Sequence, residues 1–172
     1  AETQALYHWL RQTPAATVSA ARITNLPLPL TSFIGRKHEL TQVKLRLKQA
    51  QLLSLIGTGG SGKTRLAIQA ATELLDEFQD GVWWVELAPL TSAALVPHAV
   101  MKALGLSEVP RQAVLETLAE FLRTRTVLLV LDNCEHVIEA CAELAMTLLQ
   151  REACAHLKIL ATSREPLNVP GE

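Results

Sequence analysis

Residues 52–71 read LLSLIGTGGSGKTRLAIQAA, and this stretch passes from an apolar run through a glycine-rich segment into a pattern typical of a helix. Gly57, Gly62, Lys63 and Thr64 have the spacing G-x-x-x-x-G-K-[ST] of a phosphate-binding loop. Glycines let consecutive backbone N–H groups approach phosphate oxygens, because no Cβ stands in the way. The following helix turns its unpaired N–H groups and its dipole toward the same anion. The stretch therefore predicts a strand, a loop that holds the phosphate chain of a nucleotide, and a helix.

Two side chains at the end of this loop add chemistry to that of the backbone. Lys63 can reach the terminal phosphates as a point charge, which makes it a candidate catalytic residue. The Thr64 hydroxyl is a candidate ligand of Mg²⁺. The residues of this loop predicted to contact the nucleotide are Gly57, Thr58, Gly59, Gly60, Ser61, Gly62, Lys63 and Thr64.

The composition is that of a folded domain without a strong charge of either sign. The chain has 172 residues, of which 49% are hydrophobic and 19% are charged, so it can bury a core. Its net charge is −1 and no segment concentrates Lys and Arg, so we expect no direct nucleic-acid binding by this segment. Apolar runs such as residues 127–131 are too short to cross a bilayer, so we expect no membrane contact.

The cysteines bear on the expected compartment. Cys134, Cys141 and Cys154 show neither the paired spacing of a zinc site nor a disulfide framework. This usage is typical of a reducing environment, and the cytoplasm is the expected location.

The chain divides at about residue 30. Residues 1–30 are predicted to be a linker or upstream tail. Residues 1 to about 12 could form a short helix or the tail of an upstream element, and the stretch after them, with three prolines among small and polar residues, is predicted to be a linker or extended arm. Residues 31–172 are predicted to form one P-loop nucleotide-binding domain. The chain begins with Ala1 and ends at Glu172 without a closing element, so we expect a piece of a longer protein. Other domains of that parent chain are the expected partners.

Short apolar segments alternate with longer amphipathic ones along the predicted domain. The predicted strands are residues 52–56, 82–87, 127–131 and 157–163. The predicted helices are residues 37–50, 63–78, 91–105, 111–124 and 135–150, the third of them bent at Pro97 and closed by Gly105. Near-continuous apolar strands that alternate with helices favour a parallel sheet covered on both faces. The predicted fold class is α/β, a three-layer P-loop NTPase fold.

A carboxylate for the metal is expected at the end of the third strand. The segment TVLLVLDNCEH places Asp132 where an apolar strand ends, and ligands of open parallel sheets bind at that edge. Asp132 is therefore predicted to hold Mg²⁺ through its hydration shell, a role compatible with capping the next helix. Asn133 cannot accept a proton from water, so Glu135 is the candidate for orienting or deprotonating a water, or else is a solvated residue at a helix start. Hydrolysis, if present, should be slow.

The fourth strand ends in ATSRE. An arginine at this edge can reach a γ-phosphate and report its presence. Arg164 is therefore a candidate sensor and catalytic residue, with an ordinary surface arginine as the alternative.

Four ordered segments together resemble a known family. FIGRKHEL, IGTGGSGKTRLA, VLLVLDNCEHV and ILATSREPLNVPGE are similar to the nucleotide-binding domain of the STAND signalling ATPases, the group that includes the NB-ARC proteins. The similarity runs from about Leu26 to Glu172. It is greatest to large bacterial regulators that carry this domain beside LuxR-type or activator-type DNA-binding regions.

The resemblance implies roles for further residues. Ile34, Gly35 and Arg36 would lie near the adenine and ribose of ATP or ADP. Residues 57–64 would be the Walker A loop, and Arg65 continues its GKTR wording, with no function of its own assigned. The same resemblance implies Asp132 as the Walker B acid, Arg164 as the first sensor arginine, and Mg²⁺ with ATP or ADP as cofactors. It also implies a sheet in which strand 52–56 is central, with strands 127–131 and 158–162 beside it.

The resemblance implies an ATP/ADP switch within a signalling or transcriptional regulator, with self-association as a further expectation. Asn133 stands where NB-ARC members commonly have a second acid, which favours slow hydrolysis. The helical and winged-helix subdomains that complete the family's switch would follow Glu172. This chain would then hold the base of the switch.

Two alternatives stay open at this point. A P-loop kinase would need an arginine-bearing lid, and between Trp84 and Arg125 only Arg111 and Arg123 are candidates. A module that holds nucleotide without hydrolysing it is compatible with Asn133. Adenine is expected over guanine, because the sequence shows no N/T-K-x-D guanine-reading motif.

Overall fold

The computed structural model describes residues 23–28, 33–150 and 154–172. The part of the predicted tail at residues 1–22 lies outside these ranges. The strands are β1 (Leu52–Ile56), β2 (Val82–Glu86), β3 (Val127–Asp132) and β4 (Leu157–Ser163). The helices are α1 (Lys37–Gln49), α2 (Lys63–Glu73), α3 (Val96–Ala103), α4 (Val114–Leu122) and α5 (Ile138–Leu149). Among the described residues, no helix is long and apolar enough to span a membrane.

The strands form one parallel sheet in the order β1-β4-β3-β2. The predicted three-layer α/β class is confirmed, because helices cover both faces of this sheet.

The predicted central position of β1 is wrong for the strands that the structure describes. β1 pairs with β4 alone, and β4 separates it from β3. The burial of the two strands differs accordingly. Every residue of β3 is buried, whereas most of β1 is partly exposed. The apolar composition of β1 does not reveal this, since helices cover the faces of an edge strand as well as those of a central one.

Alternate residues of each strand enter two separate cores, as the pleat of a strand requires. On one face Leu128, Val130 and Leu160 pack with α1 and α2. On the other face Leu129 and Ile159 pack with α3, α4 and α5. The glycine loop lies between β1 and α2, so the first of these cores is the support of the loop.

Four helices begin or end away from their predicted bounds, and α4 and α5 begin at residues 114 and 138 where 111 and 135 were predicted. Pro97, predicted to bend a helix, lies in the first turn of α3, after a short 3₁₀ turn at Ala93–Leu95. Proline is favoured there because the first turn has no partner for its missing N–H. Gly105 follows α3 at φ +69°, which confirms it as the end of that helix. Helix α2 stops at Glu73 and gives way to a 3₁₀ turn, short of the predicted residue 78.

The last part of the predicted arm lies along the outer edge of β2. Thr24 forms a parallel bridge with Val82, and its hydroxyl donates to the Val82 carbonyl at 2.7 Å. The Asn25 side chain serves both backbone groups of Trp84: Nδ2 donates to the carbonyl at 2.9 Å, and Oδ1 accepts from the N–H at 2.6 Å. These bonds satisfy edge groups that would otherwise be open to pairing with another strand.

Cys134 and Cys141 are buried neighbours in the core between the sheet and α5. A hydrogen bond with Cys141, together with burial, raises the pKa of the Cys134 thiol far above its ordinary value. Cys134 therefore remains a thiol, and both residues contribute to packing.

Replacing Leu129 tests the core. Leu129 is fully buried at the middle of β3, so Leu129→Ala should lower the free energy of unfolding by about 2–5 kcal/mol through lost burial and the cavity left behind. Leu45→Ala on the exposed side of α1 is the control, since Leu45 is 48% exposed and should cost well under half as much. Urea unfolding followed by circular dichroism measures both values. Equal losses for the two variants would contradict this core assignment.

Candidate functional site

The carboxyl ends of β1, β4 and β3 bring the predicted site elements to one edge of the sheet. The loop at residues 57–62 follows β1, Arg164 follows β4, and Asp132 ends β3. The position of β4 between the other two strands makes these elements neighbours.

The glycines of the loop differ in what a side chain at each position would meet. Gly60 and Gly62 have φ of +75° and +82°, a region that residues with a Cβ rarely adopt. A Cβ on Gly57 would lie 3.0 Å from Ser61 Oγ, a tight contact that the Ser61 side chain would have to relieve. A Cβ on Gly59 would meet only the Arg164 guanidinium, at an ordinary contact distance of 3.4 Å.

The Lys63 ammonium is held by the loop itself. Its Nζ donates to the carbonyl of Gly57 at 2.7 Å and to that of Thr58 at 2.9 Å. Lys63 is the first residue of α2, so the charge lies at the positive end of that helix. An anion at this place would meet both the lysine and the helix dipole.

Thr64 and Asp132 are brought together as the motif pairing predicted. Thr64 Oγ1 donates to Asp132 Oδ1 at 2.8 Å. The Asp132 side chain is buried, with 8% of the residue exposed, so its orientation depends on its hydrogen-bond donors. A hydroxyl and a carboxylate are oxygen ligands of the kind that Mg²⁺ prefers.

Thr162 belongs to the site and was missed in the sequence. Its Oγ1 donates to the same Asp132 Oδ1 at 2.7 Å and accepts from the Asn133 N–H at 3.0 Å. The available signal was a hydroxyl residue at the carboxyl end of the last strand. It indicates a contact with Asp132 only once β4 is known to lie beside β3.

Glu135 and Arg164 form an ion pair at the mouth of the site. Arg164 Nε lies 3.3 Å from Glu135 Oε1, with 65% of the arginine side chain and 21% of the glutamate side chain exposed. The other carboxylate oxygen, Oε2, is buried and has no hydrogen-bond partner among the described residues. Glu135 lies in the 3₁₀ turn formed by Cys134–His136. This turn follows Asn133, whose φ of +69° turns the chain away from β3. The two candidates are therefore engaged with each other.

The FIGR segment approaches the loop through its arginine. Gly35 and Arg36 have φ of +78° and +55°, and this turn leads into α1. Arg36 Nη1 donates to the Ser61 carbonyl at 2.9 Å, and its Nε lies 3.3 Å from Glu39 Oε1. Ile34 is 86% exposed. The structure thus brings Arg36 to the loop and leaves the Ile34 side chain on the surface, while Arg65 lies exposed in the first turn of α2.

A cleft of about 470 Å³ extends from the loop along β1 to α1. Ligand pockets commonly have volumes of roughly 300–1,000 Å³, so this cleft is of nucleotide-binding size. Among the residues that line it are Arg36, Gln42, Arg46, Ser54, Leu55, Ile56 and Lys63. The wall from α1 is therefore polar and carries charges of both signs, with Glu39 among its residues, and the wall from β1 is apolar except for Ser54.

A glycine loop between a parallel strand and a helix, with its terminal hydroxyl bonded to an acid at the end of a second strand, defines a protein of the P-loop NTPase fold. The NB-ARC domain model matches residues 36–168. The chain belongs to the NB-ARC family.

Sequence relatives include a Mycobacterium tuberculosis protein named as an HTH-type transcriptional regulator, which is 48% identical over 126 residues. That match covers 73% of this chain and 14% of the relative, so this chain spans a small part of that protein's length.

Solved structures share the fold at low sequence identity. Cdc6p from Pyrobaculum aerophilum has a TM-score of 0.60 at 17% identity, over 84% of this chain and 43% of that one. A STAND protein with a tetratricopeptide repeat sensor from Pyrococcus horikoshii has a TM-score of 0.58 at 16% identity, over 87% of this chain and 23% of that one.

Two neighbouring glycines test the loop geometry. Gly60→Ala should lower the free energy of unfolding by about 1–2 kcal/mol, because alanine must adopt a left-handed conformation there. Gly59→Ala is the matched control, since Gly59 has no positive φ and room for a Cβ, and it should change stability by less than about 1 kcal/mol. Urea titration measures the free energy of unfolding of both variants. An equal loss of stability at the two positions would contradict the described loop.

Proposed function

We propose that this chain is the nucleotide-binding base of an ATP/ADP switch within a regulatory protein, with slow hydrolysis of the bound nucleotide. The observation that carries the proposal is the hydrogen bond from Thr64 to Asp132, which joins the loop to the acid at the end of β3. This bond places the last hydroxyl of the loop beside an acid, and both groups are oxygen ligands of the kind that Mg²⁺ prefers.

The phosphate chain would be held by the loop backbone and Lys63. The left-handed Gly60 and Gly62 allow backbone N–H groups to point inward, and α2 begins directly after them. The Lys63 ammonium would exchange the carbonyls of Gly57 and Thr58 for phosphate oxygens, a stronger pairing of opposite charges.

The metal would be Mg²⁺, with Thr64 and Asp132 as its protein groups. When bound, the ion neutralises charge on the phosphate oxygens and orients them. Thr64 would be ready to ligate the ion, because its hydrogen bond to Asp132 fixes the direction of the hydroxyl proton.

The base and sugar would lie in the cleft beside β1. Arg36 joins this cleft to the loop by its bond to the Ser61 carbonyl, and Gly35 sets the turn that brings it there. Ile34 is exposed and accessible to a ligand or to a covering domain. The base proposed for this cleft is adenine.

Slow hydrolysis follows from the groups around Asp132. Asn133 is neutral and cannot accept a proton from water, and this residue carries the expectation of slow turnover. Glu135 Oε1 lies 3.3 Å from Arg164 Nε. A γ-phosphate would compete with Glu135 for the Arg164 guanidinium, which makes Arg164 a sensor of ATP over ADP. The output would then be a change of shape, at a turnover far below that of an ordinary enzyme.

The relatives support the regulatory setting. A mycobacterial relative is named as a transcriptional regulator, and a structural neighbour is titled as a STAND signal-transduction ATPase. We infer that this chain acts with other domains of a longer protein, of LuxR or activator type, and that self-association accompanies its active state in the cytoplasm.

A nucleotide titration tests the proposal. ATP, ADP and GTP, each with Mg²⁺, are titrated by calorimetry into the wild-type chain, Lys63→Ala and the control Lys102→Ala on α3. We expect saturable binding of the adenine nucleotides, a loss of about tenfold or more in Lys63→Ala because a paired charge is removed, and no change in Lys102→Ala. Phosphate release should stay below about one turnover per minute, well under the usual range of enzymes.

Other outcomes separate the alternatives. Fast release or transfer of phosphate would replace the switch by a kinase or another phosphoryl-transfer enzyme. Binding without measurable turnover over hours would favour a module that holds nucleotide without hydrolysing it. Equal affinity in wild type and Lys63→Ala would refute the phosphate-binding role of the loop.

A further inference from the structure

We propose that Thr162 is a positioning residue that orients the Asp132 carboxylate for the metal ion. This inference rests on the proposed function, because it concerns the magnesium that Thr64 and Asp132 would share. Thr162 itself would not touch the metal or the nucleotide.

The hydrogen bonds around Thr162 have a fixed direction. The Asn133 N–H is a donor only, so the Thr162 oxygen must accept from it at 3.0 Å. The single hydroxyl proton is then directed at Asp132 Oδ1, 2.7 Å away. Thr162 is 1% exposed, so water does not compete for these bonds.

The sheet order explains why a residue of β4 reaches this carboxylate. Thr162 pairs in register with Leu55 of β1, and Ala161 before it pairs with Leu131 of β3. Its hydroxyl therefore lies beside the last residue of β3. The carboxylate is held from α2 by Thr64 and from β4 by Thr162.

Both hydroxyls donate to the same oxygen, Oδ1. Two donors on one oxygen restrict the rotation of the carboxylate, and the other oxygen would be left for the metal's hydration shell. Groups that orient a ligand in this way typically contribute about 10–100-fold to metal affinity or activity. A buried hydroxyl with only a packing role would contribute nothing to the metal dependence of binding.

The test compares three variants with the wild-type chain. Thr162→Val keeps the shape and removes the hydroxyl, Thr162→Ala removes it without a new methyl group, and Thr162→Ser keeps it. Thr72→Val is the matched control, because the Thr72 hydroxyl only donates to Ile68 of its own helix at 2.7 Å. The dissociation constant of ADP is measured with Mg²⁺ and with EDTA, and their ratio gives the gain from the metal.

We expect this gain to fall about tenfold or more in Thr162→Val and Thr162→Ala, as for other groups that orient a metal ligand. The affinity measured in EDTA should stay unchanged in both. Thr162→Ser should restore the gain, and Thr72→Val should equal wild type. An unchanged gain in Thr162→Val and Thr162→Ala, or a wild-type chain that gains nothing from Mg²⁺, would overturn the inference.

A second measurement needs no ligand. Amide hydrogen exchange at Asn133 should be faster in Thr162→Val than in wild type and Thr162→Ser, because its acceptor is lost. Unchanged exchange would overturn the hydrogen-bond chain even in a protein that binds no nucleotide. Failure of the proposed function appears separately, as a wild-type chain that binds neither ATP nor ADP.

Discussion

One carboxylate oxygen, Asp132 Oδ1, connects the parts of this site. It accepts hydrogen bonds from Thr64 at the start of α2 and from Thr162 near the end of β4, while Asp132 itself ends β3. A buried carboxylate without donors is costly, and here two hydroxyls supply them. These bonds therefore hold the start of α2, the end of β3 and the end of β4 in one arrangement.

A different constraint acts on the glycine loop: its backbone N–H groups must be able to approach an anion without a Cβ in the way. Gly60 and Gly62 have conformations that other residues rarely adopt, and Gly57 leaves room for the Ser61 hydroxyl. Packing behind the loop supplies the rigidity that glycines lack. Leu128 and Val130 of β3 form a core with α1 and α2, and this core supports the glycine loop that precedes α2.

Arg164 and Glu135 form an ion pair that an incoming anion could separate. Their ion pair lies at the surface, where such pairs contribute little to stability, so another anion can displace the carboxylate at small cost. The Thr162–Asp132 bond is buried and the Thr64–Asp132 bond is partly buried, whereas the arginine side chain of this ion pair is 65% exposed. A buried acid held by two hydroxyls beside a replaceable ion pair fits the metal and sensing roles proposed above for Asp132 and Arg164.

Local patterns in the sequence determined the glycine loop, the α/β class and the acid at the end of β3. Each depends on residues close in the chain: the spacing from Gly57 to Thr64, the apolar run before Asp132, and the alternation of strands with helices. Only the tertiary structure decided that β4 lies between β1 and β3, that Thr162 bonds to Asp132, and that Asn25 caps the edge of β2. The reason is that apolar periodicity reports burial and does not say which strand is the neighbour. A contact between residues 30 or more positions apart depends on that choice of neighbour.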